Sequence, residues 1–330
     1  MDLFEDNRNS AKPLAERMRC TGIEEFIGQK HLVGEGCLLR RAIKADRVGS
    51  CIFYGPPGTG KTTLANIIAN TTHSEYVYLN AVSSGVADAK KVIEDAKKRL
   101  EYSGKKTYLL LDECHRWNKA QSDSVLGAIE KGEIIFIGST TENPFVSMTR
   151  AIVSRCRIFE FKPLTEDDIK IGLKRALSDE YNGLGSYSVD LDEKALNYFC
   201  SAANGDMRAA LNSLEIAVLS TPSDKTGTVR ITAEIAAQSV QRPIISIDES
   251  QYYDMLSGFC KSLRGSCPDA AIFYAMRLIG AGCDPLLLFR RLIVHSAEDV
   301  GLADPNALTI SVSAMTAFEK IGLPEGLIPL

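Results

Sequence analysis

Gly55-Pro56-Pro57-Gly58-Thr59-Gly60-Lys61-Thr62-Thr63 follows the apolar run Cys51-Ile52-Phe53-Tyr54 and precedes Leu64-Ala65-Asn66-Ile67-Ile68-Ala69. Strand, glycine loop and helix in that order form the setting a phosphate-binding loop needs. Glycines let the backbone turn so that successive N–H groups point at phosphate oxygens. The helix N-terminus adds its partial positive charge. Lys61 is placed to reach the β- and γ-phosphates of a bound nucleotide, and the Thr62 hydroxyl to ligate Mg²⁺. An ordinary glycine turn would account for the glycines but not for Lys-Thr at this register.

The surrounding chain is that of a soluble globular protein. Its 330 residues suffice for two or three domains with real cores, and 45% apolar with 24% charged residues is ordinary. No apolar run reaches the length of a membrane span, so no membrane partner is expected. Met1-Asp2-Leu3-Phe4-Glu5-Asp6 is not an export signal, and residues 1–12 are expected to be a disordered tail. The net charge of −4 means that nucleic-acid binding would need a local patch. The nine cysteines include no C-x-x-C pair, which argues against zinc, and several lie inside apolar runs as small buried hydrophobes, which fits a reducing intracellular compartment; the source, not the cysteines, decides between nucleus and bacterial cytoplasm.

Residues 13–163 alternate apolar runs with helical patterns, which predicts an α/β domain with a mostly parallel sheet. The expected strands are 51–54, 76–79, 107–111 and 134–137, with helices after the glycine loop, near 87–100 and near 122–131. From Pro163 the pattern is helical alone. Thr165, with Asp168 three residues on, starts a helix, and further helices fit 192–203, 206–219 and 232–239. A boundary near Arg242-Pro243 separates this 164–242 segment from a third, helical one over 243–330. In it Asp284-Pro285 starts a helix running to Ala297.

A second element of chemistry follows the glycine loop by about fifty residues. Leu109-Leu110-Leu111 runs into Asp112-Glu113, which puts two carboxylates at the carboxyl edge of the sheet beside the phosphate loop. Asp112 would hold Mg²⁺ and Glu113 would orient and deprotonate an attacking water. The run Ile135-Phe136-Ile137 ends in Gly138-Ser139-Thr140-Thr141, whose hydroxyls could lie near a γ-phosphate or merely finish a strand.

Glycine loop, Asp-Glu strand, polar strand end, Ser154-Arg155-Cys156 and Gly205-Asp206-Met207-Arg208 occur in the order found in AAA+ ATPases, and the last two resemble the clamp-loader branch. Within it the chain resembles the replication-associated recombination protein A family, also known as the maintenance-of-genome-stability or Werner-helicase-interacting-protein ATPases. The resemblance rests on Asn80-Ala81-Val82-Ser83-Ser84-Gly85-Val86, Asp112-Glu113-Cys114-His115-Arg116-Trp117-Asn118-Lys119, Gly138 to Pro144, and Glu298-Asp299-Val300-Gly301-Leu302-Ala303-Asp304-Pro305. It implies an AAA+ core with a parallel sheet, an all-helical lid and a helical C-terminal oligomerisation domain. It also implies Mg-dependent hydrolysis of ATP held by Gly55 to Thr63, Asp112 and, against the adenine, Ile27.

By the same resemblance Thr141 matches the first sensor, with Thr140 as the near alternative. Arg155 matches an arginine finger reaching a neighbouring subunit's nucleotide, and Arg208 the second sensor on the lid. Guanidinium suits both places because it is always charged and forks onto oxygens. The family has Pro where this chain has Cys20 and Phe where it has Trp117. It also continues past Gly322-Leu323-Pro324-Glu325-Gly326 with helices that build a tetramer, so the oligomerisation domain is expected to be incomplete.

The family implies DNA at stalled or gapped forks, forked or single-stranded, as partner. A single-stranded-DNA-binding protein or polymerase machinery would be the protein partner, and a homo-oligomer the working state. From the residues, 90–106 carry a local excess of four positive charges on a helix whose other face is apolar. That face can neutralise phosphates or simply be a solvated surface of i,i+4 pairs. The free N–H groups at Ser83-Ser84-Gly85 offer a second place for a phosphate. His115 either couples the nucleotide to DNA or is a satisfied turn histidine. The alternatives are a clamp-loader subunit or branch-migration motor, and a nucleotide-binding scaffold without turnover.

Overall fold

The computed structural model describes residues 12–72, 74–240 and 249–330. These form two compact units, one of residues up to 240 and one of residues from 249 on. Residues 1–11 of the expected tail, and the expected boundary at Arg242-Pro243, lie outside the described residues.

The first unit holds a five-stranded parallel sheet of β1 (Cys51–Tyr54), β2 (Glu75–Asn80), β3 (Thr107–Asp112), β4 (Ile135–Thr140) and β5 (Arg157–Glu160). Their order across the sheet is β2-β3-β4-β1-β5. The crossover helices are α1 (Lys61–Thr71), α2 (Val86–Ser103) and α3 (Lys119–Glu130). Successive strand residues point to opposite faces, and both faces are covered. Cys51 and Phe53, Tyr108 and Leu110, and Ile137 pack with Leu64, Ala65 and Ile68 of α1. Ile52, Leu109, Leu111 and Phe136 pack with Ala89 and Ala96 of α2 and Val125 and Ala128 of α3. The register pairs Asn80 with Asp112, Asp112 with Ser139, and Tyr54 with Thr140, so these residues share the carboxyl edge.

One strand, β5, has no counterpart among the sequence expectations. Its two apolar residues, Ile158 and Phe159, stand between Arg157 and Glu160 and carry no recognisable period. Pairing with β1 alone (Ile52 opposite Ile158, Phe53 opposite Phe159) makes it an edge strand.

The helices after Pro163 are α4 (Glu166–Ser178), α5 (Glu193–Ala202), α6 (Met207–Ser220) and α7 (Ala233–Ser239). Thr165 caps α4 through Asp168, and Asp206 caps α6 by accepting from the Ala209 N–H at 3.0 Å. They enclose a core built on Ile169, Leu173, Phe199, Leu211 and Leu214, which also takes in Leu14 and Met18 from the N-terminal side. The expectation of helices alone needs correction. Two short strands, β6 (Ser188–Leu191) and β7 (Thr228–Ile231), pair in parallel between them. Four residues are too few for a period of two to stand out from a polar loop.

The second unit holds α8 (Glu249–Arg264), α9 (Pro268–Gly280), α10 (Pro285–His295) and α11 (Asn306–Ile321). Leu256, Phe259, Leu278 and Leu288 lie in its core. Asp284 caps α10 by accepting from Leu286 N–H at 3.0 Å. The α geometry stops at His295, short of Ala297, and continues as a π turn over Ser296–Val300.

Candidate functional site

At the carboxyl edge of the first unit's sheet, one cavity of about 630 Å³ is walled by the glycine loop, the ends of β2, β3 and β4, the N-terminal segment and α6. Its floor is the loop. Gly58 and Gly60 adopt φ of 64° and 97°, left-handed values that favour glycine. A Cβ on Gly60 would stand 2.8 Å from the Phe26 ring, and one on Gly58 would enter the Asp206 carboxylate. The loop is therefore closely lined from both sides, and Met207 N–H donates to Gly58 O at 3.2 Å, tying α6 to it.

Lys61 is 8% exposed and donates to Gly55 O and Pro56 O, both at 2.7 Å. Two of its three protons hold the loop shut on itself, leaving one for a ligand. Burial pushes its pKa down to about 8, against the opposing pull of Glu113 and Asp112. A cation so desolvated, with acids beside it, gains from an arriving polyanion.

Asp112 ends β3, and its carboxylate accepts from Tyr78 Oη at 3.3 Å and from Glu113 N–H at 3.2 Å. Glu113 has φ of 54°, an uncommon conformation for a side-chain-bearing residue. That turn sends the chain sharply away just past the strand. The Glu113 carboxylate lies 3.5 Å from His115 Nδ1. The imidazole is 5% exposed; Nδ1 is 2.9 Å from Thr140 Oγ1, and Nε2 is 3.3 Å from the Glu142 carboxylate. His115 thus joins the ends of β3 and β4 beneath the cavity.

Of the expected site residues, Ile27, Pro57, Gly58, Thr59, Gly60, Lys61, Thr62, Thr63, Asp112, Glu113, Thr141 and Arg208 all line this cavity. Gly55 and Pro56 do not; their carbonyls lie under the loop, holding Lys61. The strand-end hydroxyls separate. Thr140 is 1% exposed and its oxygen is engaged by His115 and by Glu142 N–H, whereas Thr141 and Ser139 line the cavity. Arg155 is elsewhere. Its Nε and Nη2 pair with Glu130 at the end of α3, and its Nη1 donates to Ala151 O at 2.8 Å and to Ser154 Oγ at 3.2 Å.

Sequence reasoning missed part of the wall. Tyr78 and Asn80 line it from β2, and their spacing of two on a strand paired with Asp112 was the available signal. Met18, Met207 and Leu211 supply apolar surface, and Asn212 a carboxamide four residues beyond Arg208 on the same face of α6. Gln29 fixes the approach of Ile27: its carboxamide donates to Lys162 O at 2.7 Å and accepts from Lys162 N–H at 3.0 Å.

Three family descriptions match consecutive parts of the chain. Residues 51–164 match the ATPase family associated with various cellular activities, 185–264 an AAA C-terminal domain, and 265–330 the MgsA AAA+ ATPase C terminal. Replication-associated recombination protein A of Bacillus subtilis is 46% identical over 321 residues, 97% of this chain and 75% of that protein. Its namesake in Escherichia coli K12 is 39% identical over 320 residues, 96% and 71%. The Dictyostelium discoideum ATPase WRNIP1 is 36% identical over 335 residues, 96% of this chain and 38% of that protein. Among solved structures, Thermotoga maritima RuvB, a Holliday junction branch migration motor, superposes with a TM-score of 0.55. It is 24% identical, covering 75% of this chain and 79% of that one, which is a likeness of fold.

Proposed function

Because the chain belongs to the replication-associated recombination protein A family of AAA+ ATPases, we propose that it spends ATP on remodelling DNA at stalled or gapped replication forks. The observation that supports ATP hydrolysis most is the gathering of a glycine loop, Lys61, Asp112, Glu113 and Arg208 around one cavity, with Arg155 outside it; the fork substrate is inferred from the relatives' names.

In this reading the loop N–H groups and Lys61 hold the β- and γ-phosphates. The residues fit a Mg²⁺ ion: Thr62 offers a hydroxyl and Asp112 a carboxylate, and Mg²⁺ at nucleotide sites takes few protein ligands beside phosphate oxygens and water. Bound there, the ion would neutralise charge on the phosphates. Glu113, steered by its backbone turn and by His115, accepts the proton of the attacking water. Thr141 and Ser139 are placed to orient that water or the γ-phosphate. Arg208 contacts the γ-phosphate from α6, so hydrolysis loosens the segment after residue 163 from the sheet.

Arg155 serves a neighbouring copy. It is tethered on the protein's outside by Glu130 and does not line the cavity that Glu113 faces. A homo-oligomer therefore completes the sites. The relatives' printed names tie them to replication-associated recombination, and DNA association of this chain is inferred from them, with the exposed basic face of α2 as a candidate contact.

The test is steady-state ATPase activity with no DNA, with single-stranded DNA and with forked DNA, over a range of protein concentration. Stimulation by forked or gapped DNA is expected. Turnover that ignores all DNA would remove the fork reading while leaving the ATPase in place.

A further inference from the structure

Tyr78 stands two residues before Asn80 on β2, and the register sets Tyr78 beside Leu110 and Asn80 beside Asp112. Residues two apart on a strand share a face, and so do register partners on neighbouring strands. Tyr78 and Asp112 therefore share one face, separated by one strand spacing and two residue rises, about 8 Å between backbones. A phenol arm covers that diagonal: Tyr78 Oη reaches Asp112 Oδ2 at 3.3 Å.

A carboxylate only accepts, so the phenol donates on this contact. The other oxygen, Asp112 Oδ1, accepts from Glu113 N–H at 3.2 Å. With a donor on each oxygen the carboxylate is held against rotation. The turn at Glu113 fixes one oxygen, and a side chain from the next strand fixes the other. Of about four lone-pair sites on a carboxylate, two remain for a ligand. Tyr78, Asp112 and Thr62 all line the cavity, so the oriented carboxylate stays within its reach.

Mg²⁺ demands near-ideal octahedral geometry and gives up its waters reluctantly, whereas Ca²⁺ takes more oxygen ligands in flexible arrangements. A carboxylate locked in one orientation suits the first ion. One free to turn both oxygens onto a larger ion suits the second. Hydrogen-bond partners that orient a ligating carboxylate are commonly worth about 10–100-fold in metal affinity.

We propose that Tyr78 is a positioning residue for the metal, fixing the Asp112 carboxylate so that the site takes Mg²⁺ in preference to Ca²⁺. This rests on the reading of Asp112 as a Mg²⁺ residue of an ATP site.

The test is equilibrium binding of an ATP analogue with an imido bridge between its β- and γ-phosphates. It is titrated onto the full chain and onto Tyr78→Phe in EDTA, in rising Mg²⁺ and in rising Ca²⁺. Phenylalanine keeps the ring of this half-exposed residue and removes the hydroxyl alone. The Mg²⁺ concentration that half-restores tight binding should rise roughly tenfold in the variant. The Ca²⁺ requirement should move by less than about twofold, since a flexible shell tolerates a turned carboxylate. Affinity in EDTA should not change. Equal weakening in all three conditions would overturn the proposal, because the hydroxyl would then touch the nucleotide or merely support the fold. An unchanged Mg²⁺ requirement, or Mg²⁺ and Ca²⁺ requirements that rise together, would also sink it. Wild-type binding that ignores Mg²⁺ would instead overturn the metal reading of Asp112 itself, and that failure shows without any variant.

Discussion

Mixing two inactive variants tests the division of the site between neighbouring copies. Glu113 faces the cavity, while every nitrogen of the Arg155 guanidinium is engaged on the outside by Glu130, Ala151 O and Ser154. If Arg155 serves the neighbour, Glu113→Gln removes the base from its own site but still offers a finger. Arg155→Ala keeps its base but offers no finger. Loss of a finger costs ~10³–10⁵ in rate, about 4–7 kcal/mol of barrier, and loss of a general base ~10²–10⁴. Each variant alone should therefore be nearly silent. In a randomly assembled equimolar mixture, about one interface in four joins an intact base to an intact finger. Turnover per site should recover to about a quarter of wild type, since ~10³ lies between an intact and a defective interface. The assay is phosphate release after co-incubation long enough for subunits to exchange, with nucleotide binding by each variant checked separately. A mixture no faster than the mean of its components, under conditions where wild-type turnover per site rises with concentration, would refute the shared site.

Three smaller perturbations probe how the cavity is built. His115→Ala should lower kcat about tenfold with little change in ATP affinity, because it frees Glu113 and the ends of β3 and β4 without touching the loop; single-turnover rates beside equilibrium binding separate the two, and an unchanged kcat would leave His115 a structural residue. Gly58→Ala must place a side chain at φ of 64° and against Asp206, so stability should fall by about 1–2 kcal/mol and ATP binding should be lost in titration. Arg17→Met leaves the Glu215 carboxylate, 17% exposed, without its 2.8 Å partner; urea unfolding should show a loss of about 1–3 kcal/mol, and restoration by adding Glu215→Gln would identify the stranded charge as the cause.

Much of the site was legible because it is local. A glycine loop opening a helix, and a strand ending in Asp-Glu, carry their geometry within a few residues: the left-handed glycines, the helix start at Lys61 and the shared carboxyl edge follow from backbone rules. The helix starts at Thr165, Asp206 and Asp284 were readable for the same reason, since a cap acts across three residues. Elements with little internal pattern were not. The edge strand Arg157–Glu160 and the pair Ser188–Leu191 with Thr228–Ile231 exist only through partners far along the chain.

The residues by themselves thus determined the phosphate chemistry, the order of the nucleotide-binding parts and most helices. Tertiary structure decided which hydroxyl faces the cavity: adjacent Thr140 and Thr141 are chemically alike, and only packing turns one toward His115 and the other toward the cavity. It also decided that Arg155 stands outside, paired with Glu130, while Asn212, an unremarked polar residue of a helix, lines the cavity. Periodicity places a residue on a face, but what covers that face depends on chain segments up to two hundred residues away, as Leu14 and Glu215 show by hydrogen-bonding across the same wall.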